Sequence, residues 1–351
     1  MNGSKWTLAW AIVLAVALIT GTASAQGDRR DAERTLHLLE NTAIPVRDAI
    51  DLAGRLSGVT DAATITVPPA PAYQIGDRAT FTVSNSDEAR HFVIEAHLAA
   101  AAPGVYLWVE DGIAYDPARL TQIAATLDRA LFPRIRALFG QEPNPGIDHD
   151  PHIYILHATH LGETIGGYFN DASTYPRPII STSNEREMFV IAVDNVPVDS
   201  PSYFYVLAHE FVHMIQHHED LNEETWVIEG MAELGAFLTV TPQTFSIQSY
   251  LANPTVQLNA WDIDQASPYY GAASLFFTYL VERFGPGFVL THSREPADGI
   301  TGVNHALAAI QATDPATGQP ITFADVFADW LVANLVDTPA IGDGRYDYRL
   351  I

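Results

Sequence analysis

The chain has 351 residues, 48% hydrophobic and 17% charged, enough apolar material for a large buried core in one or two domains. It sets 42 acidic residues against 18 basic ones, and Lys5 is its single lysine, so nucleic acid and anionic membranes are unsuitable partners. With no cysteine, disulfides, thiol catalysis and Cys-ligated zinc are excluded.

Residues 1–25 read as a secretory signal peptide: Lys5 gives the positive start, 8–19 the apolar run, and Ala23-Ser24-Ala25 the small-residue cleavage site. Secretion follows as the expectation. No later run is long and apolar enough to span a bilayer, so no stable membrane insertion is expected after cleavage. Residues 26–66 read as helical (35–41 and 46–56) with a break at Pro45, either a pro-segment that is removed or an extension packed on the domain. Pro68-Pro69-Ala70-Pro71 is a stiff linker. Residues 67–115 form a β-rich stretch with strands expected at 79–83, 92–96 and 106–110. It is either a small unit ahead of the next fold or the start of its sheet.

In the lobe 116–220, Leu120, Ile123, Leu127, Leu131, Ile135 and Leu138 recur at helical spacing, and Gly140 ends that helix (117–139). Buried strands are expected at 152–156 and 188–193. The polar loop between them, 159–186, is long; its segment 166–170 either lies near a cleft or belongs to a structural Ω-loop. Pro201-Ser202 opens the next helix, with Asp199 or Ser200 as alternative caps.

That helix holds His209-Glu210-Phe211-Val212-His213. Residues four apart share a helix face, so both imidazoles can reach one metal ion while Glu210 reaches a water on it. This is the zinc-metallopeptidase pattern. The plain alternative is two exposed histidines on an ordinary helix. The helix is apolar almost all round, through 203–208, Phe211, Val212, Met214 and Ile215, and so should be buried. Buried histidines need partners, which a metal supplies. His217 and His218 read as surface residues at its C-terminus, where cations interact well with the helix dipole.

The final lobe, 221–351, reads mostly helical: 244–251, 271–284, 303–311 and 323–336, with Trp330 in the core and 344–351 as a short strand or tail. Near its start Glu229 and Glu233 are also four apart. Glu229 is assigned as third ligand, which leaves a fourth zinc position for water. Glu233 is then an acceptor orienting a ligand histidine; the reverse assignment stays open. Gly230 is expected to let this helix approach the first. The donor set suits Zn2+ and leaves other divalent cations open. Asp148-His149-Asp150 and Asp262-Ile263-Asp264 offer oxygens for structural Ca2+, but neither has a full ligand spacing and turn carboxylates are the plainer reading.

The two acidic helices, with Tyr270-Gly271 and 275–280, resemble the gluzincins, and among them the hyicolysin-like secreted bacterial metallopeptidases. The likeness runs from about residue 73 to 337, and its specific part is the two zinc helices. It implies an α+β, zincin-like fold, with a mixed sheet and active-site helix in the first lobe and a mostly helical second lobe. It also implies zinc on His209, His213 and Glu229, with Glu210 as the catalytic base. The interval from His213 to Glu229 is slightly shorter than in thermolysin-like enzymes. Gluzincins use a Tyr or His as a second electrophile; Tyr269 and Tyr270, opening the helix 271–284, are candidates, Tyr270 foremost, with packing the alternative. The implied substrate is a protein or peptide. An endopeptidase is favoured, because the Gly-x-Met-Glu-Asn element of aminopeptidase gluzincins is missing (Glu187-Met188 is followed by Phe189-Val190). Alternatives are an aminopeptidase-type exopeptidase, an inactive zinc-binding adhesion module and a cell-wall zinc hydrolase.

Overall fold

The computed structural model describes residues 29–39, 41, 48–240 and 243–351. The signal-peptide stretch and the break at Pro45 lie outside them. The chain falls into two compact units, Met1–Arg47 and Asp48–Ile351. In the first, residues 29–39 form an exposed helix, α1. The second opens with α2 (Ala49–Leu56), whose N-cap Asp48 accepts from the Ile50 and Asp51 amides. The proline segment 68–71 has no regular structure, but the Ala70 N–H donates to Asp148 O at 2.8 Å and ties it to the body.

Six strands make one sheet: β1 (Arg78–Asn85), β2 (Arg90–Ala102), β3 (Val105–Glu110), β4 (Ile153–Ala158), β5 (Gly167–Phe169) and β6 (Met188–Ala192), in the order β1-β2-β3-β4-β6-β5. β3, β4 and β6 are parallel neighbours; the other pairs are antiparallel. The strands of 67–115 are therefore the start of this sheet. Period-two alternation sorts the side chains. Leu107, Ile155, Phe189 and Ile191 face the helices, while Trp108, Tyr154, Leu156 and Val190 fill a second cluster on the opposite face.

β5 was not expected; the polar loop contains it. Three residues are too few to show a period, but glycine makes the place possible. A Cβ on Gly167 would stand 2.7 Å from Val190 O and 3.0 Å from Val206 Cγ1. Only a bare backbone lets this edge strand lie between β6 and the next helix.

The expected helix 117–139 exists as α3 (Pro117–Thr126), a π turn at Leu127–Leu131, and α4 (Phe132–Phe139). Pro133 has no N–H to continue the α ladder, and the Phe132 N–H reaches back five residues to Leu127 O. The lobe beyond is helical: α5 (Tyr203–Glu219), α6 (Thr225–Thr239), α7 (Phe245–Ala252), α8 (Ala266–Phe284), α9 (Pro286–His292), α10 (Gly299–Ala309) and α11 (Phe323–Val336). α8 starts five residues before the expected Gly271, because Pro268 sits in its first turn, where a missing N–H costs nothing. Tyr269 and Tyr270 therefore lie inside the helix. α9 was not foreseen. Trp330 is buried as expected. The end of the chain forms no strand; Arg345 pins it to Asp314, Asp329 and Asp343. Among the described residues no helix is long and apolar enough to cross a membrane. The whole is a mixed arrangement of helices and one mixed sheet, of α+β character.

Candidate metal centre

α5 begins at Tyr203, and neither Asp199 nor Ser200 caps it; Asp199 instead pairs with Arg119 at 3.0 Å. Its interior is buried as the composition required, and Glu210 is only 6% exposed. α6 packs against it through Gly235, where a Cβ would stand 2.4 Å from Val212 Cγ2. The expectation for Gly230 is corrected: a Cβ there would meet Phe277 at 2.6 Å and Ala273 at 2.9 Å, so Gly230 makes room for α8. It still sets the place of Glu229, because α8 fixes the back of α6.

Three donor atoms converge. His213 Nε2 lies 2.9 Å from His209 Nε2, and Glu229 Oε2 lies 3.3 Å from His209 Nε2 and 3.4 Å from His213 Nε2. A tetrahedral ion with ligand bonds of about 2.0–2.1 Å spaces its ligands about 3.3 Å apart. Among the described residues this is the one group of three or more His, Cys, Asp or Glu side chains placed to share a cation.

The outer ring nitrogens decide what those atoms carry. His209 Nδ1 faces Glu233 Oε1 at 3.3 Å. His213 Nδ1 faces Gln216 Oε1 at 3.2 Å, and the Gln216 amide is fixed that way round because its Nε2 donates to Ile228 O at 3.2 Å. Both outer partners are acceptors, so in the neutral rings both Nδ1 atoms carry the hydrogens and both Nε2 atoms present lone pairs. Glu229 Oε2 is buried and accepts no hydrogen bond. Three acceptors at such separations repel unless something positive stands between them. A proton satisfies one pair; a metal ion satisfies all three. The acid–base behaviour shows the same demand for positive charge. Burial alone would lower the pKa of His209, yet Glu229 and Glu233 raise it well above its usual value. Burial opposes charge on Glu229, and the facing imidazoles of His213 and His209 more than offset it, holding the carboxyl below its ordinary range. The donors thus fit a zinc-like cation on His209, His213 and Glu229, with Glu233 as the orienting neighbour and not the reverse.

Glu210 turns its carboxylate toward the edge strand, where Oε2 accepts the Phe169 N–H at 2.7 Å. The segment 166–170 therefore does reach the site. The Tyr270 ring lies 6.4 Å from that of His209 and packs edge-on against Trp261 at 4.9 Å. Burial first, then the charges of Glu229, Glu210 and Glu233, push its hydroxyl far above the usual tyrosine range. Tyr269 packs on Trp261 at 6.0 Å.

Three supporting residues, Tyr205, Ser246 and Gln216, escaped the sequence reading. The Tyr205 hydroxyl donates to Glu233 Oε2 at 3.0 Å, and Ser246 reaches the same oxygen at 3.4 Å. Tyr205 stands four residues before His209, and Gln216 three after His213, so helical spacing was a usable signal for both. His217 is not the surface residue expected. It is half-buried beside Thr174, and its pKa is lowered by burial, against Asp171 and with His218; His218 itself is exposed. The candidate calcium carboxylates act in turns: Asp150 accepts from the His152 amide and from Tyr154, and Asp262 from the Asp264 amide. Asp148 Oδ1 accepts from the Asp150 amide, while its Oδ2 is buried without a hydrogen-bond partner.

No model of a known protein family matches this sequence, and comparison with curated proteins finds no match.

Proposed function

We propose that the protein is an exported zinc-dependent metallopeptidase of zincin-like fold and gluzincin type, acting as an endopeptidase. The observation that carries the proposal is the convergence of two imidazole lone pairs and one unsatisfied carboxylate oxygen from α5 and α6. Zinc held there supplies a Lewis acid that polarises a peptide carbonyl and acidifies water toward a pKa of about 7. Glu210 keeps Oε2 on the Phe169 amide. That leaves Oε1 to take a proton from the attacking water and pass it to the leaving amine. Burial, with the charges of Glu229, Glu210 and Glu233, raises the pKa of Tyr270 and favours a hydroxyl that can donate to the developing oxyanion.

The edge strand favours an extended substrate. Gly167 and Phe169 occupy the positions of β5 that do not bond to β6, as the flanking bonds Ala192 N–H to Gly166 O and Asn170 N–H to Met188 O show. The outward Phe169 N–H is taken by Glu210; the outward Gly167 N–H and the Gly167 and Phe169 carbonyls are the groups to which a peptide can add as a further strand. A peptide lying so need not end at the metal, which suits internal cleavage. Export rests on the character of residues 1–25.

The test is a peptide-library cleavage profile of the purified chain with and without chelator. Internal cuts that vanish with chelator and return with zinc support the proposal. Release of free amino-terminal residues alone would identify an exopeptidase, and zinc binding without cleavage a binding module.

A further inference from the structure

α5 carries a third histidine after the metal pair. His217 follows His213 by four residues, but it stands about 12 Å along the axis from His209, too far to share the ion. It is committed elsewhere. Its ring meets Phe169 at 5.4 Å and Tyr175 at 6.3 Å, edge to face in both cases. Its Nε2 lies 3.2 Å from Thr174 Oγ1. The Thr174 hydroxyl already donates to Asp171 O at 2.8 Å, so the hydrogen in the histidine contact belongs to His217 Nε2. One side chain therefore ties the end of α5 to both β5 and the 3-10 turn Asp171–Thr174 that follows it.

β5 needs such a tie. It is three residues long, lies at the edge of the sheet and, among the described residues, pairs only with β6. An edge strand this short has little hold of its own. Yet its last residue supplies the amide on Glu210.

We propose that His217 is a positioning residue that clamps the 169–175 segment onto α5 and so keeps the Phe169 N–H on Glu210 Oε2. The clamp stands on geometry alone; its consequence for turnover rests on the peptidase reading above.

The test uses the full zinc-loaded chain and His217→Leu, His217→Gln and His218→Leu. Exchange of the Phe169 amide, read by fragmentation mass spectrometry, should quicken at least about tenfold in His217→Leu. His217→Gln, which keeps an N–H for Thr174, should stay within about threefold of the parent, as should His218→Leu. Zinc content should match the parent in all three. With a cleavable peptide, kcat should fall at least about tenfold in His217→Leu with KM changed much less, and His217→Gln should restore it. Unchanged Phe169 exchange in His217→Leu overturns the clamp. Faster exchange with unaltered kcat overturns its role in aiming Glu210. If the parent chain holds zinc but cuts nothing, the peptidase reading fails, and the exchange measurement still decides the clamp.

Discussion

At the scale of single residues the site is a set of acceptors that converge on one point. On the proposed metallopeptidase reading, Glu210→Gln keeps the three converging donors and removes the proton carrier. It should retain the metal and lose about 10²–10⁴-fold in kcat, measured as turnover per bound zinc. Glu233→Gln loses the carboxylate behind His209 while preserving its shape. Zinc affinity should weaken about 10–100-fold by chelator competition, with Tyr205→Phe weaker in the same direction. The pair His209 and His213 was legible because four-residue spacing on a helix is a local rule, and Glu229 with Glu233 followed the same rule. What the spacing did not settle was which glutamate binds. That depends on Glu229 Oε2 meeting both imidazoles while Glu233 turns to His209 Nδ1, a fact of helix–helix packing.

At the scale of elements the two glutamates are placed by close crossings. Gly230→Ala would push a methyl against Phe277 and Ala273, both fully or almost fully buried. Overpacking of that kind costs about 1–3 kcal/mol, and the thermal midpoint should fall while Gly287→Ala, with open space around its Cα, leaves it in place. The sequence suggested a close approach at Gly230 but attached it to the wrong neighbour, because a glycine records that something comes near without recording what. The long helices α5, α6 and α11 were legible from apolar content and length. β5 was not, since Gly167-Tyr168-Phe169 offers no repeat to read, and its role emerges only from lying against Val206 and Glu210. His217 was misread for a related reason: the end of a helix is usually solvated, and only the tertiary return of residues 169–175 covers it.

At the scale of the whole molecule, stability without disulfides rests on the core beneath the sheet and on buried polar groups that titrate. His157 sits at the end of β4, with Nδ1 on Trp108 O at 2.8 Å and Nε2 on the Tyr203 hydroxyl at 2.6 Å. Burial pushes its pKa down to about 4, and His292 likewise. A folded-state pKa below the unfolded one means the unfolded chain binds more protons, so stability is lost as pH falls from about 6.5 toward 4. Burial raises Glu187 and Glu223 to about 7, and these act in the other sense, losing stability as pH rises from about 4.5 through 7. The separable prediction concerns His157→Gln. Its deficit against the parent in denaturant unfolding should shrink between pH 7.5 and 4.5, by an amount on the order of 3 kcal/mol at most. A deficit independent of pH would remove His157 from the account.

The central claim is that His209, His213 and Glu229 hold one cation together. Zinc bound per chain at equilibrium, measured by dialysis and elemental analysis on the parent, His213→Ala and Glu229→Ala, tests it most directly. The account predicts one tightly held zinc in the parent and affinity reduced by at least about 100-fold in each variant. A parent chain that takes up no zinc, or a variant that holds it as firmly, would contradict it.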